Sequence, residues 1–527
     1  MRNIASVKES ILNSTGGKYS VSSLLVLLLF YLHLPAYAQT GVYTLNGDTS
    51  NQTNQTFAAT LADQSAVYVL NSGKLTMTNC IMTKSGDASN VNNSSQYGTN
   101  AGILAMSSGQ VTISGGSVTT NASGANGIFA TGSGSSITMS NGTINASGAS
   151  AHGVDCTYGG AIILNNVDIT TTGSNSSALA TDFGGGTVTV TGGTIVASAT
   201  ESGSHSAGLY STGNITVSNA IISSSGDCGG VIDGANSISL TNTTLTGALH
   251  GIKIWKTAPM SGVATVTISS GSLNATNGDA FYVTGETGNG ASASLTMSGG
   301  ATVNPGTDNI VNVLTSSTAS FTADGETITG NFNADATSTL SVLLKNGTDL
   351  TGSAQNTGIT IDATSSWVVN ANSVMTTVID PTGISGLTVT NIIGNGHNVH
   401  YDSSLAGNQY LGGLTYSLFN GGVLTPGSVL GVEQFQSDPV TNCILYQNFP
   451  NPVISNTTIL YKITQKEFVT LKVYDQSGKE VAILVDSEQE AGQHAISFNV
   501  SPLDNGIYFF SLTAEGNVQT RKMFICK

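Results

Sequence analysis

The sequence predicts an all-β protein: a right-handed parallel β-helix with three short strands per coil, followed by a small C-terminal β-sandwich. Three observations predict it. First, a motif of the form GQVTISGGSV (109–118) recurs. Its first apolar residue falls at Val111, Ile137, Ile162, Val188, Ile215, Ile238, Val266 and Leu295, with gaps of 26, 25, 26, 27, 23, 28 and 29 residues. A period in this range signals stacked repeats. Second, apolar and hydroxyl side chains alternate within each copy, as in Val111-Thr112-Ile113-Ser114. Period two means a strand with one face buried. Third, composition shifts near residue 443. Residues 39–442 carry 5 basic and 21 acidic side chains, whereas 443–527 carry 7 and 8.

Each element of a coil has its own justification. The alternating run gives one strand. Gly115, Asn141, Gly192 and Asn219 follow it in turn positions, since Gly and Asn tolerate positive φ. Val118 and its equivalents begin a second strand. A third lies upstream in each period, as AGILA, NGIFA, HGVDC, SALAT, AGLYS, HGIKI and DAFYV. No stretch carries an apolar 3.6-residue period long enough for a helix. One such unit cannot bury its apolar face alone, but stacked units can. Residues 39–428 suffice for about 15 coils, each rising about 4.8 Å. A β-sandwich also has many short strands, but its motif does not return at fixed phase.

Taken in order, residues 1–38 read as a secretory signal peptide. Arg2, Lys8 and Lys18 precede the apolar SLLVLLLFYLHL, and Ala36-Tyr37-Ala38 is a small-residue cleavage site ending at Ala38. No transmembrane segment is expected in the mature chain. Between Leu75 and Val111 the interval grows to 36 residues. The excess, GDASNVNNSSQYGTN, reads as a polar loop on one corner, where solenoid insertions often form a binding face. Residues 429–442 read as a linker and 443–527 as the sandwich, with Asn-Pro, Ser-Gly and Asn-Gly turns between alternating runs.

Five cysteines with no CxxC spacing exclude a disulfide scaffold and a cysteine metal site. Cys443 and Cys526 bracket the last domain and are a possible pair. The acidic rod argues against nucleic acid as a partner, since phosphate binding needs a basic footprint.

Aligning the upstream strands places Phe129, Asp155, Tyr210, Lys253 and Tyr282 at one outward position, with Trp255 two residues on. Asp155, Tyr210, Lys253, Trp255 and Tyr282 form a candidate glycan-binding file, weighed against a solvated strand face with chance aromatics. His152, His205 and His250 recur at similar phase and are read as surface residues, not ligands. Neither a catalytic constellation nor a metal or cofactor site is expected. Asp155, Asp182 and Asp233 are the carboxylates a catalytic reading would use, provided they share one sheet. The Thr file (Thr112, Thr138, Thr189, Thr216, Thr267, Thr296) is structural, with ice binding as a remote alternative because Ile163 and Asn165 interrupt it.

Residues 391–426, ending in GNGHNVHYD, YLGGLTYSL and GGVLTP, resemble the closing coils of pertactin-like and other adhesin-like β-helix proteins. The matching positions are Gly396, His397, Tyr401, Asp402, Tyr410, Gly412, Gly413, Tyr416 and Pro426. The likeness implies a surface-exposed rod; no membrane barrel follows as in an autotransporter. Enzymes on the related pectin-lyase-like fold need clustered Asp with Lys or Arg on one sheet.

Residues 443–527 closely resemble the C-terminal sorting domain of type IX secretion in Bacteroidota. The resemblance rests on Tyr446-Gln447-Asn448-Phe449-Pro450-Asn451-Pro452, Val473-Tyr474-Asp475 with Gly478-Lys479, Ala491-Gly492 and Asn505-Gly506-Ile507-Tyr508. It implies passage through the outer membrane, recognition by the secretion machinery, and attachment at the surface or release outside the cell. Asn448, Pro450, Asn451, Pro452, Gly478, Gly492, Gly506 and Tyr508 would carry the sorting motif. The expectation is an exported, non-enzymatic, adhesin-like or envelope-structural rod with a glycan or host-surface ligand. The alternative is a secreted polysaccharide-binding or polysaccharide-degrading enzyme.

Overall fold

The computed structural model describes residues 39–427 and 443–527, apart from 200–204, 257–261, 287–288, 447, 449–450, 464 and 515–516. The expected signal peptide and linker lie outside that set. The described residues form two compact units, one on either side of 428–442.

The first unit is a parallel β-solenoid of about 14 turns. One coil shows the plan: Ile128–Thr131 in a first sheet, Ser136–Ser140 in a second and Thr143–Ala146 in a third. Each strand pairs in parallel with its equivalents one coil away. Ile137 lies opposite both Val111 and Ile162, and Met139 opposite Ile113 and Leu164. This stacking buries the inward column Ile113, Met139, Leu164, Val190 and Val217 to 1% exposure or less. Thr112, Thr138, Ile163, Thr189 and Thr216 stand over one another on the outer side.

The turn between second and third strands is fixed by backbone chemistry. Asn79, Gly115, Asn141, Asn166, Gly192, Asn219, Asn242 and Ser270 all have φ between 46° and 72°. This left-handed region is where Gly and Asn are least penalised. Several of these Asn side chains also bond to the next in the stack: Asn166 donates to Asn141 at 3.0 Å and Asn242 to Asn219 at 2.9 Å.

Two departures from a plain stack matter. The insertion before Ile103 is not an open loop but contains a short helix, Val91–Tyr97. Asn90 caps it by accepting the Asn93 amide, and Gly98, at φ 71°, ends it. At the other end of the solenoid, Tyr416–Phe419 and Val423–Pro426 pair antiparallel as a hairpin. The Tyr401 hydroxyl donates to the Leu414 carbonyl at 2.7 Å and that of Tyr416 to Leu411 at 3.0 Å, pinning this closing segment.

The second unit is a sandwich of two antiparallel sheets. Three strands (Cys443–Leu445, Asn456–Ile463, Gly492–Asn499) face four (Glu480–Gln489, Glu467–Tyr474, Gly506–Ala514, Asn517–Ile525). They share a core that includes Ile459, Tyr461, Val469, Leu471, Phe510 and Met523. Cys526 is a free, exposed thiol, so the pair it could have made with Cys443 is not formed.

Candidate functional site

The outer side of the first sheet carries the chemistry. Strand register stacks Tyr68, Leu104, Phe129, Asp155, Ala180, Tyr210, Val231, Lys253, Tyr282 and Asn312 in one column. Two residues along, Thr131, Thr157 and Asp182 stack in a second column, which Asp233 and Trp255 continue farther on. Asp155, Tyr210, Lys253, Trp255 and Tyr282 thus lie on one face of one sheet, and so do Asp182 and Asp233.

Exposure divides this face in two, and here one expectation is corrected. Phe129 and Asp155 point outward from the sheet, yet both are fully buried. The helix 91–97 lies over them. Tyr68, Ala101, Leu104 and Phe129 make a separate apolar cluster on the outer side. A Cβ on Gly98 would sit 2.5 Å from the Phe129 ring. Ser94 donates to the Gly124 carbonyl, and Thr157 Oγ1 donates to the Gln96 carbonyl at 3.0 Å. Gln96 also bonds the Tyr158 hydroxyl, and Tyr97 stacks on Tyr158 at 5.9 Å. Beyond this edge the face opens, and Asp182, Tyr210, Asp233, Lys253, Trp255 and Tyr282 are half-buried.

The carboxylates are unusual for a solenoid wall. Neither oxygen of Asp155 has a hydrogen-bond partner. Burial pushes its carboxyl well above the usual range, and Asp182 adds to the effect. Asp182 is pushed up to about 6, first by burial and then by Asp233, against the pull of the Phe183 amide. Burial and then the fields of Asp182, Asp233 and Asp155 raise the Tyr210 hydroxyl. The four groups thus feel one another across neighbouring coils. Farther along, the Lys253 ammonium sits 4.6 Å from the centre of the Trp255 ring, and Tyr282 stacks on His250 at 4.2 Å.

The histidine recurrence has a different cause from the one expected. His152 is buried, not on the surface; its Nδ1 accepts the Ser177 amide at 3.0 Å. His250 does the same for the Asp279 amide at 3.1 Å, one place in the same corner column. Each ring replaces a backbone acceptor where the coil turns, so it holds the neutral tautomer with its proton on Nε2. Burial lowers His152 to about 4. His205 is exposed and out of that column. Among the described residues no three His, Cys, Asp or Glu are arranged to hold a metal ion.

An unbonded buried carboxyl costs about 1–3 kcal/mol. Asp155→Leu is therefore expected to stabilise the protein by about that much. The sign with pH is also fixed. Because the folded group is raised above an unfolded value of about 3.9, its stabilising contribution is full below that value and is lost as pH rises through the folded value. The gain from Leu should accordingly be larger at pH 8 than at pH 4. Thermal unfolding at both values checks it; an equal gain at both would show that Asp155 does not hold its proton.

In the second unit, the residues expected to carry the sorting motif lie at turns and between strands. Asn448 is buried and donates to Thr457 Oγ1 at 2.9 Å. Asn451 accepts the Phe524 amide at 2.7 Å and donates to the Lys522 carbonyl at 3.2 Å; a cis bond joins it to Pro452. Asp475 accepts the Ser477 and Lys479 amides at 2.8 and 3.0 Å, forming the turn that Gly478 completes at φ 80°. Gly492 and Gly506 have φ of 139° and 157°, and the Tyr508 hydroxyl donates to the Asp504 carbonyl at 3.2 Å. Pro450 lies outside the described residues. Residues 447–526 match the family model of the secretion system C-terminal sorting domain.

The second unit is a type IX sorting domain. Its presence implies engagement of the type IX secretion machinery, export from the cell and attachment at the surface. Comparison with curated proteins gives no match for the chain. The sorting domain thus bears on where the solenoid is delivered. Among the described residues no helix is long and apolar enough to cross a membrane.

Sequence reasoning missed the helical cover. Its signals were present in NVNNSSQYG: an Asn in cap position and a Gly at the end of a seven-residue run.

Proposed function

We propose that this chain is a cell-surface β-solenoid, adhesin-like in role, that binds polysaccharide on the outer face of its first sheet. In this reading residues 1–38 are a cleaved signal peptide, 39–428 the binding rod, 429–442 a linker and 443–527 the sorting domain. The observation that carries it is the juxtaposition of half-buried Tyr210, Trp255 and Tyr282 with Asp182, Asp233 and Lys253 on successive coils. Aromatic faces stack on sugar rings while carboxylates and an ammonium take hydroxyl hydrogen bonds, the mix that polar ligand sites use.

The test is binding of the mature full-length protein to a polysaccharide panel. Trp255→Ala is expected to weaken binding about tenfold or more, as for a central aromatic anchor, while export to the surface is retained. Binding that is indifferent to Trp255 and Tyr210 would remove the face from consideration. A second reading, polysaccharide cleavage, is favoured by Asp182, whose carboxyl near 6 suits acid–base exchange close to neutrality. Release of new reducing ends that stops in Asp182→Asn would establish it.

A further inference from the structure

We propose that the solenoid has a second ligand site, at the corner between its third and first sheets, which takes one neutral sugar unit. A cavity of about 390 Å³ opens there, lined by Val303, Asn304, Pro305, Asp308, Thr329 and Asn370 around the bare backbone of Gly330. Its volume falls within the range of small-molecule pockets, about 300–1,000 Å³. The coils part at this corner for reasons carried by the sequence. Thr302–Asn304 pairs with Ser272, Leu273 and Asn274 on one side, and Thr327–Thr329 with Asp349, Leu350 and Thr351 on the other. These two strands do not pair with each other. Pro305 brings no N–H with which to continue a ladder. At the far end of the gap the buried Glu326 carboxylate steps in and accepts the Gly300 amide at 2.9 Å. On the first-sheet side the register slips between Asn309 and Val311, and Asp308 is held at φ 69°. Bulges and strained residues gather where a side chain is re-aimed for use.

The polar side chains around this cavity are uncommitted. Those of Asp308, Thr329 and Asn370 are exposed and make no hydrogen bond or ion pair with the described residues. Aspartates at nearby corners behave differently: Asp335 accepts the Thr337 amide and Asp362 the Thr364 amide, each at 2.9 Å. Their carboxylates build their own turns, and that of Asp308 does not. An amide, a hydroxyl and one carboxylate together offer both donors and acceptors, which suits a ring of hydroxyls that each donate and accept. Val303 and Pro305 supply an apolar wall for the C–H face of such a ring. No Lys, Arg or His lines the cavity, so nothing there compensates an anionic ligand, and Asp308 repels one.

The experiment is calorimetric titration of the mature full chain with the methyl glycosides of glucose, galactose and N-acetylglucosamine, and separately with glucuronate and calcium chloride. At least one neutral glycoside is expected to bind, about tenfold or more tightly than glucuronate. Asp308→Asn should weaken it about tenfold, the loss of one hydrogen bond to a charged group. Asn370→Trp, which fills the cavity, should abolish it. Unchanged thermal unfolding of both variants shows that the fold is kept, and Asn tolerates the backbone angle at 308 as well as Asp does. Failure of every neutral glycoside to bind, binding that survives both substitutions, or preference for glucuronate or calcium would overturn the site. Binding lost in Trp255→Ala but kept in Asn370→Trp would place the sugar on the first sheet, overturning this site and leaving the polysaccharide reading standing.

Discussion

Replacing Ile113 by Asp is expected to cost at least about 4 kcal/mol, while Thr112→Asp, one residue away, should cost under about 0.5 kcal/mol. Ile113 is 1% exposed and stacked between Met77 and Met139. A carboxylate there meets side chains that offer it neither water nor a donor, and it must take up a proton or force the coil open. Thr112 is exposed, between Thr76 and Thr138 on the outer side. Its replacement adds a hydrated charge and removes little contact. Denaturant unfolding and soluble yield of the two variants give the comparison; similar damage from both would contradict the inward and outward assignment on which the fold rests.

The second large effect concerns a corner where the backbones of neighbouring coils come into direct contact. A Cβ on Gly173 would lie 1.9 Å from the Gly148 carbonyl oxygen, and one on Gly148 would lie 1.8 Å from that of Ala122. The obstacle in each case is the main chain of the neighbouring coil, which cannot rotate away as a side chain can. Ser176 Oγ donates to the Gly148 carbonyl and Ser206 Oγ to that of Gly173, both at 3.0 Å, so parting the coils also breaks buried hydrogen bonds. Gly173→Ala is expected to cost about 3 kcal/mol or more. Gly347→Ala is the control: its φ of 81° disfavours a side chain, but nothing lies within 4 Å. It should cost only about 1–2 kcal/mol, the penalty of the left-handed backbone itself. Equal losses at the two positions, read from chemical unfolding, would mean that backbone angle rather than contact between coils governs these corners.

The solenoid was legible because its determinants are local and repeated. The alternation around Val111 and Ile113, the Gly or Asn at 115, 141, 192 and 219, and the phase of the upstream strands each specify one part of a coil. The register that follows also brought Asp155, Tyr210, Lys253 and Tyr282 into one column, as expected. What pattern could not reveal was exposure. Phe129 and Asp155 are outward by parity but buried, because helix 91–97 is contributed by a segment some 30–60 residues earlier in the chain. Parity along a strand says which side a residue faces, not what another segment lays across that side. The histidines show the converse. His152 and His250 recur in phase because the coil needs an acceptor at one corner, a structural demand that looks like a site when only spacing is visible. The sandwich was legible for a third reason: its asparagines, prolines and glycines mark turns whose geometry few other residues satisfy.

The hairpin at 416–426 bears on how such molecules coexist. A solenoid ending in bare parallel strands offers the next molecule a ready template, and crowded copies would splice end to end into filaments. Here the final strand folds back on its predecessor and spends those peptide groups within its own chain. Where Tyr416 and Ser417 lie opposite Leu424 and Val423, that edge is already occupied and is not open to a second copy.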